Sequence, residues 1–230
     1  MHTLYHHSMN PGSRYVRLLL GEYGQKVAFL DEKVWERRPE FLALNPAGTV
    51  PLLQLEEGEC VCGAVVIGEF LDETCGAMMR DKRLMPEKAA NRSETRRLIE
   101  WFIHKFDHEV TRYMLQERIY KQLMRTEEGG GPPEASVIRA ARNNLKGHMK
   151  YLNALAGSRD WMAGRSISAA DMAAAAAISV LDYLGEISWE EQPAAKDWYS
   201  RLKSRPSFRP LLDEKMLGLP PSSHYGDLDF

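Results

Sequence analysis

Apolar and polar positions divide the chain into two parts with different periodicities. In the first third, short apolar runs typical of strands alternate with segments of helical spacing. The pattern predicts strands at 3–6, 26–30, 51–55 and 59–61, and helices from 13 up to Gly24, at 39–44 and at 64–74. The predicted order is therefore β-α-β-α-β-β-α, and no strand pattern follows it.

The remainder of the chain has helical periodicity alone. It predicts helices at 89–125, 134–156, 168–184, 191–204 and 207–215. The segment 168–184 is rich in Ala and almost free of charge, which predicts a helix buried on all sides. We therefore expect a small α/β unit at 1–76, a linker at 77–88, an all-helical unit at 89–217 and a tail at 218–230.

Composition narrows the class of protein. The 230 residues are 44% apolar and 27% charged, and the net charge is −2, which is ordinary for a soluble globular protein. A near-zero charge provides no general attraction for nucleic acid or an anionic membrane. No run approaches the ~20 apolar residues that span a bilayer, and the first residues do not resemble a signal peptide. We expect a cytoplasmic protein.

Neither the cysteines nor the N-terminal histidines predict a cofactor. Three cysteines form an odd set: Cys60, Cys62 and Cys75. They contain no Cys-x-x-Cys redox motif, so we interpret them as small apolar residues of a reduced protein. The N-terminal histidines are His2, His6 and His7. They lack a recognisable metal-ligand spacing, so no metal and no cofactor are expected.

The segment 45–53, NPAGTVPLL, resembles the turn that leads into the third strand of glutathione S-transferases. In that family the bond corresponding to Val50–Pro51 is cis, which in practice requires a proline. The resemblance implies a thioredoxin-like α/β domain followed by an all-helical domain. It also implies that the backbone of Val50 faces the peptide-like part of a ligand.

A second segment, 161–171 (WMAGRSISAAD), resembles the buried helix-capping motif of the same family. Ser168 is placed to cap a helix, and Asp171 three residues later can accept from the Ser168 N–H. Ile167 and Met172 have the spacing of a hydrophobic staple. This motif supports the fold and carries no chemistry.

Glutathione chemistry requires a hydroxyl or thiol near the start of the first helix, where the helix end stabilises a thiolate. The corresponding position falls near Asn10 or Pro11, and neither has such a group. Ser8 and Ser13 are the nearby hydroxyls. The sequence favours Ser13 as the helix N-cap over a catalytic role.

The family also holds the γ-glutamyl carboxylate with a Glu/Asp-Ser pair that opens the third helix. Here Gly63-Ala64 replaces that pair, so backbone N–H groups alone could bind the carboxylate. Both active-site signatures, the hydroxyl or thiol near the first helix and the Glu/Asp-Ser pair of the third, thus differ from the family pattern. The fold is therefore predicted to serve something other than glutathione chemistry. Val50, Pro51, Gly63 and Ala64 would then line a vestigial glutathione cleft.

The tail combines prolines with Tyr, Leu and Phe side chains, which predicts a docked or partner-binding segment. Its ending, HYGDLDF, resembles the glutathione-S-transferase-like cell-division proteins of alphaproteobacteria that bind the tubulin-like GTPase FtsZ. The run 193–199 (PAAKDWY) supports the same resemblance. It implies a homodimeric adaptor without transferase activity, cytoplasmic and located at the division site.

The resemblance also implicates the middle of the long helix and the tail in partner binding. The implied residues are Glu117, Tyr120, Lys121, Arg125, Tyr225, Asp227, Asp229 and Phe230. Two alternatives stay open at this point. One is a glutathione-dependent transferase that uses Ser13 or Ser8. The other is an interaction module for a different protein partner.

Overall fold

The computed structural model describes residues 1–216 and 218–228. A four-stranded sheet has the order β2-β1-β3-β4. Its strands are β1 Thr3–His6, β2 Ala28–Asp31, β3 Leu52–Gln54 and β4 Cys60–Cys62. β1 runs parallel to β2 and antiparallel to β3, and β3 runs antiparallel to β4. Because β1 is central, the turn after it lies against the core.

Three helices accompany this sheet: α1 Pro11–Glu22, α2 Pro39–Leu44 and α3 Ala64–Thr74. Pro at the first turn of α1 and α2 fits the helix start, where its missing N–H has no partner to lose. α1 buries Val16, Leu19 and Leu20 on its core-facing side.

A long helical rod follows at 89–123. It consists of α4 (Ala89–Glu100), α5 (Arg112–Leu115) and α6 (Lys121–Leu123). π-helical turns at Trp101–Lys105, Asp107–Thr111 and Gln116–Tyr120 join these segments. Such wider turns interrupt α-helices frequently at functional sites.

Four more helices complete the structure: α7 Ala135–Ser158, α8 Ala169–Tyr183, α9 Pro193–Lys203 and α10 Arg209–Leu212. Every residue of α8 is buried, because its small side chains let neighbouring helices approach from all sides. α1 packs most extensively against α8. One continuous apolar core therefore includes residues of both parts of the chain.

The predicted fold class is confirmed: a thioredoxin-like sheet unit precedes a helical one. Some boundaries were wrong. β3 begins after Pro51, which has no N–H for the ladder. The predicted linker contains a 3-10 helix at Gly76–Lys82, and the last helix covers only Arg209–Leu212. A helix as short as the last one depends on tertiary contacts more than on periodicity.

The start of α8 has the reciprocal capping box that the sequence indicated. Asp171 accepts the Ser168 N–H at 2.9 Å and the Ser168 hydroxyl at 3.0 Å. The same carboxylate accepts from the Met162 N–H at 2.8 Å and the Trp198 indole at 2.9 Å. Asp171 thus connects three segments of the helical unit. Among residues 1–216 and 218–228, no helix is both long and apolar enough to cross a bilayer.

Candidate functional site

A cleft of about 360 Å³ opens at the start of α1 and is bounded by the turn before β3, the start of α3 and the long rod. We call it the cleft. Its lining includes Asn10, Pro51, Ala64, Asp107 and Tyr120. Of the residues predicted to form a vestigial glutathione site, Val50, Pro51 and Ala64 line the cleft and Gly63 does not.

Asn10, and not Ser13, caps α1. The Asn10 side-chain oxygen accepts the Ser13 N–H at 2.8 Å, which corrects the expectation that Ser13 is the cap. The fully buried Ser13 hydroxyl instead accepts from the His7 N–H at 3.3 Å. Ser8 donates to the Met216 sulfur at 3.6 Å. Neither serine lines the cleft, so neither is placed to activate a ligand there.

The starts of α1 and α3 meet very closely in the cleft. A Cβ at Gly12 would lie 3.0 Å from the Ala64 Cβ and 3.3 Å from Pro51 Cδ. The Val50–Pro51 peptide bond is cis, and Val50 and Pro51 both line the cleft. The Gly63 N–H donates to the Pro51 carbonyl at 3.0 Å. The start of α3 therefore presents an alanine methyl where the family pattern has a hydroxyl.

Aromatic rings close one side of the cleft. Tyr120 packs edge-on against His7 at 5.1 Å between ring centroids, and Trp35 lies 5.1 Å from Tyr120. Burial raises the pKa of the Tyr120 hydroxyl well above its usual range. Burial also lowers the pKa of His7. Tyr120 is therefore half-buried in the cleft wall, and its role in partner binding stays a prediction.

Asp107 is the acidic group of the cleft, and sequence reasoning did not single it out. Burial raises the pKa of its carboxyl group, although Thr111 donates a hydrogen bond to it at 2.7 Å. A partly buried carboxylate does not by itself define a reaction. No group of three or more His, Cys, Asp or Glu suited to a metal occurs in residues 1–216 or 218–228.

The charged stretch of the long rod is less exposed than the sequence indicated. Glu117 is buried, and its carboxylate accepts from Lys121 at 2.6 Å and from the Glu134 N–H at 2.7 Å. Its role is to join the rod to the start of α7, which corrects its assignment to a partner surface. Arg125 remains 72% exposed and pairs with Glu128 at 2.7 Å.

The C-terminal tail is docked in a second site, which we call the tail seat. The tail seat comprises Arg14, Asp182, Tyr183, Lys203 and Leu211, and it holds the described tail residues 218–228. Tyr225 is the buried anchor of the tail. Its hydroxyl donates to the Leu211 carbonyl at 2.9 Å and accepts from Arg14 at 3.0 Å. Tyr225 is thus an internal anchor, which corrects its prediction as a partner contact.

Arg14 is the centre of the tail seat, although it was not recognised in the sequence. It is fully buried, and its Nε donates to the Ser8 carbonyl at 2.7 Å. One terminal nitrogen donates to Ser179 at 2.8 Å as well as to Tyr225. The other faces the Met9 sulfur at 3.0 Å and Glu214 at 3.4 Å. A guanidinium has five donors, and this environment supplies five acceptors.

The backbone of the tail is also held. Tyr183 donates its hydroxyl to the Leu219 carbonyl at 2.7 Å, and its carbonyl accepts the Ser222 N–H at 2.9 Å. Lys203 donates to the His224 carbonyl at 3.1 Å, and the His224 ring lies 3.0 Å from an Asp182 oxygen. Buried backbone groups need such partners, so the tail is an integral part of the fold as far as Tyr225.

Beyond this anchor the chain emerges at the surface. Asp227 is exposed, its N–H donates to the His224 carbonyl at 3.1 Å, and Leu228 is 40% exposed. Asp227 borders a surface groove of about 650 Å³ together with Glu190, Glu191 and Lys196. The predicted contacts Asp229 and Phe230 lie outside the described residues.

The capped α8, the turn before β3 and the sheet-plus-helices architecture correspond to one protein family. The glutathione S-transferase N-terminal domain model matches residues 11–74, and the C-terminal domain model matches residues 130–206. The chain belongs to the glutathione S-transferase family.

Individual relatives are similar over nearly the whole chain. The chain is 42% identical to FtsZ-localized protein A of Caulobacter vibrioides, over 99% of this chain and 98% of that protein. The crystal structure of a Sinorhizobium meliloti protein named glutathione S-transferase has a TM-score of 0.99 and 56% identity over the full length of both chains. The structure of FzlA from C. crescentus has a TM-score of 0.91 and 42% identity, over 100% of this chain and 99% of that one.

Proposed function

We propose that this protein is a non-catalytic adaptor that binds FtsZ filaments and supports cell division. The docked tail is the observation that carries the proposal, because Tyr225 is buried in the tail seat and hydrogen-bonded there, while Asp227 and Leu228 lie at the surface. A presented acidic and apolar pair suits recognition by another protein. The similarity to FtsZ-localized protein A over almost the whole chain supports FtsZ as that partner.

The composition of the cleft supports a role without catalysis. Ser8 and Ser13 are both engaged elsewhere, and Ala64 has no hydroxyl. A ligand carboxylate would have only backbone donors at the start of α3, and these bind more weakly than a full donor set. These features disfavour the transferase alternative, which would require an activated nucleophile in the cleft.

The adaptor is proposed to work as a homodimer in the cytoplasm, at the division site. Val66 on α3 is 58% exposed and Met78 in the following turn is 75% exposed. Exposed apolar side chains on adjoining segments suit a subunit contact. Light scattering coupled to size exclusion tests this part, and a mass of one chain at micromolar concentration would contradict it.

The first test is co-sedimentation with FtsZ polymerised by GTP. We expect the wild-type protein to pellet with filaments and Asp227→Lys to remain in the supernatant, with at least about a tenfold loss of affinity because a presented charge is reversed. Asp160→Lys is the matched control, since Asp160 is an exposed acidic residue outside both the tail and the segments proposed for the subunit contact. It should pellet like the wild type.

The other outcomes are distinct. Equal pelleting of wild type and Asp227→Lys would remove the tail from the site. Failure of the wild type to pellet would contradict the FtsZ adaptor proposal and favour a different protein partner. Retention on glutathione resin with turnover of an electrophile would favour the transferase alternative.

A further inference from the structure

The charge of α7 departs from the rest of the chain. The protein has 32 acidic and 30 basic residues, but α7 contains Arg and Lys without any Asp or Glu. Its cations are Arg139, Arg142, Lys146 and Lys150. Spacings of three and four residues place them on one side of the helix. Cations stabilise a helix when they lie in its last turn, and α7 has none there, so stabilisation of the helix end does not explain this composition.

A groove of about 510 Å³ lies between this side of α7 and the connection from α8 to α9. Leu145, Met149 and Ile187 contribute buried apolar side chains to its lining. Lys146 and Lys150 stand on the α7 wall, and Glu191 belongs to the facing connection. The groove thus combines an apolar floor with a basic wall and an acidic one.

The cations of the α7 wall differ in whether they form ion pairs within the protein. Arg142 makes two hydrogen bonds to the nearly buried carboxylate of Glu186, at 2.6 and 2.9 Å. Arg118 of the long rod bonds to the same carboxylate. Lys146 and Lys150 make no ion pair with any residue of 1–216 or 218–228. Both are exposed, so their ammonium groups are available at the rim.

We propose that this groove binds an extended acidic segment of a protein partner. Four residues of helix rise about 6 Å, which separates Lys146 from Lys150. Two residues of extended chain span about 6.6 Å, and their side chains point to the same side. A segment with carboxylates at alternate positions therefore matches the two lysines, while its intervening apolar side chains reach the floor.

The facing wall distinguishes this ligand from other polyanions. Glu191 lies opposite the lysines, and Glu190 follows in the adjoining groove. Both would repel a nucleic-acid backbone, which carries phosphate charge on every residue. An extended peptide can direct its carboxylates to one side only. The apolar floor also suits aliphatic side chains better than sugar-phosphate.

The groove adjoins the exposed end of the tail. Ile187, Ser188 and Glu191 line both this groove and the one that Asp227 borders. One partner could therefore contact the tail and the α7 groove together. The inference itself does not require that partner to be FtsZ, because it rests on the charge and shape of α7.

Fluorescence anisotropy with a labelled octapeptide of alternating Glu and Leu tests the proposal on the full-length protein at low ionic strength. We expect the wild type to bind and Lys146→Glu/Lys150→Glu to weaken binding by about tenfold or more, because two attractive contacts become repulsive. Lys82→Glu/Lys88→Glu is the control, since it makes the same charge change on exposed lysines elsewhere. It should change the affinity less than about twofold.

Several results would overturn the inference: no binding of the Glu-Leu peptide by the wild type, equal weakening by both double variants, or equal binding of the corresponding Lys-Leu peptide. Single-stranded DNA or anionic phosphatidylglycerol vesicles that bind with the same dependence on Lys146 and Lys150 would assign the surface to another class of ligand. Circular dichroism checks folding, and Lys146→Ala/Lys150→Ala replaces the charge reversal if that variant is misfolded. The alanine pair should still weaken peptide binding about threefold.

Discussion

The cleft and the tail seat both use the first two turns of α1, but they differ in how their polar groups are satisfied. In the cleft, Ala64 has a methyl group where the family pattern has a hydroxyl, so the start of α3 offers a ligand only backbone donors. In the tail seat, the fully buried Arg14 is surrounded by hydrogen-bond acceptors, one of them on the tail itself. The comparison indicates that the buried polar chemistry of this protein holds its own tail rather than a small ligand.

The two regions are also physically connected. Arg14 Nε donates to the Ser8 carbonyl, and Ser8 belongs to the turn that leads to the Asn10 cap. Its other nitrogens reach Tyr225 and Glu214. Hydrogen bonds to a shared buried group are seldom independent. A substitution in the tail seat should therefore also alter the hydrogen bonds at the start of α1. Four substitutions test how far the two regions differ.

The largest expected effect is on stability in the tail seat. Tyr225→Ala removes a fully buried ring and leaves Arg14 without one acceptor. We expect the free energy of unfolding to fall by about 3 kcal/mol, measured by urea denaturation. Leu228→Ala, at the exposed end of the same tail, should cost less than about 0.5 kcal/mol. Similar midpoints for Tyr225→Ala and the wild type would mean that the tail is not part of the cooperative fold.

The next effect concerns the sheet beside the cleft. Burial, reinforced by the charges of Arg17 and His7, lowers the pKa of His6 from 6.5 to about 3. Between these values the unfolded chain binds a proton that the folded chain does not. The stability that the neutral His6 ring gives to the fold is therefore fully present above pH 6.5 and is lost as the pH falls toward 3.

At pH 5 the loss from His6 should be about 1 to 2 kcal/mol. His6→Asn should therefore flatten the dependence of the free energy of unfolding on pH between 7 and 5, measured in urea. His104→Asn is the control, because that ring is 57% exposed. An unchanged slope for His6→Asn would show that His6 is not held neutral by the fold.

A subtler change tests the hydrogen bonds of the tail anchor separately from its packing. Tyr225→Phe keeps the ring but removes the hydroxyl that joins Arg14 to the Leu211 carbonyl. We expect a loss of about 1 kcal/mol, read from thermal unfolding. Tyr113→Phe should have almost no effect, since Tyr113 is 41% exposed. Equal unfolding temperatures for Tyr225→Phe and Tyr113→Phe would mean that Tyr225 stabilises the docked tail by packing alone.

The smallest effect is expected in the cleft. Ala64→Ser returns one hydroxyl to the start of α3 and should raise the affinity for glutathione about threefold over a weak wild-type value, by calorimetry. Ala140→Ser, on the exposed side of α7, should leave it unchanged. Tight glutathione binding by the wild type would contradict the contrast between the two regions and the proposed non-catalytic role.

Much of the fold could be predicted from local patterns. α3 covers the predicted residues 64–74, and α2 covers 39–44, because helical periodicity and turn residues act over short distances. The Ser168–Asp171 capping box is present for the same reason. The absence of a hydroxyl at Ala64 could also be read directly from the sequence. The proposed role as an adaptor came from the resemblance of the tail.

The exposure of individual residues could not be predicted in this way. The resemblance assigned Glu117 and Tyr225 to a partner-binding surface, and neither periodicity nor composition indicated that these two side chains are buried. Their burial depends on Lys121 and Glu134 in one case and on Arg14 in the other. Arg14 itself resembled any charged helical residue, and nothing in its neighbouring sequence signals five acceptors.

The sequence by itself determined the order of the elements, the capped Ala-rich helix and the side chains missing from the cleft, because each of these depends on residues close together in the chain. Only the tertiary structure decided that the tail is docked and that Arg14 holds it. Those contacts join residues 14, 179, 214 and 225. Burial of the Arg14 charge becomes favourable only when distant segments together supply its hydrogen-bond acceptors. The sequence next to Arg14 does not encode those contacts.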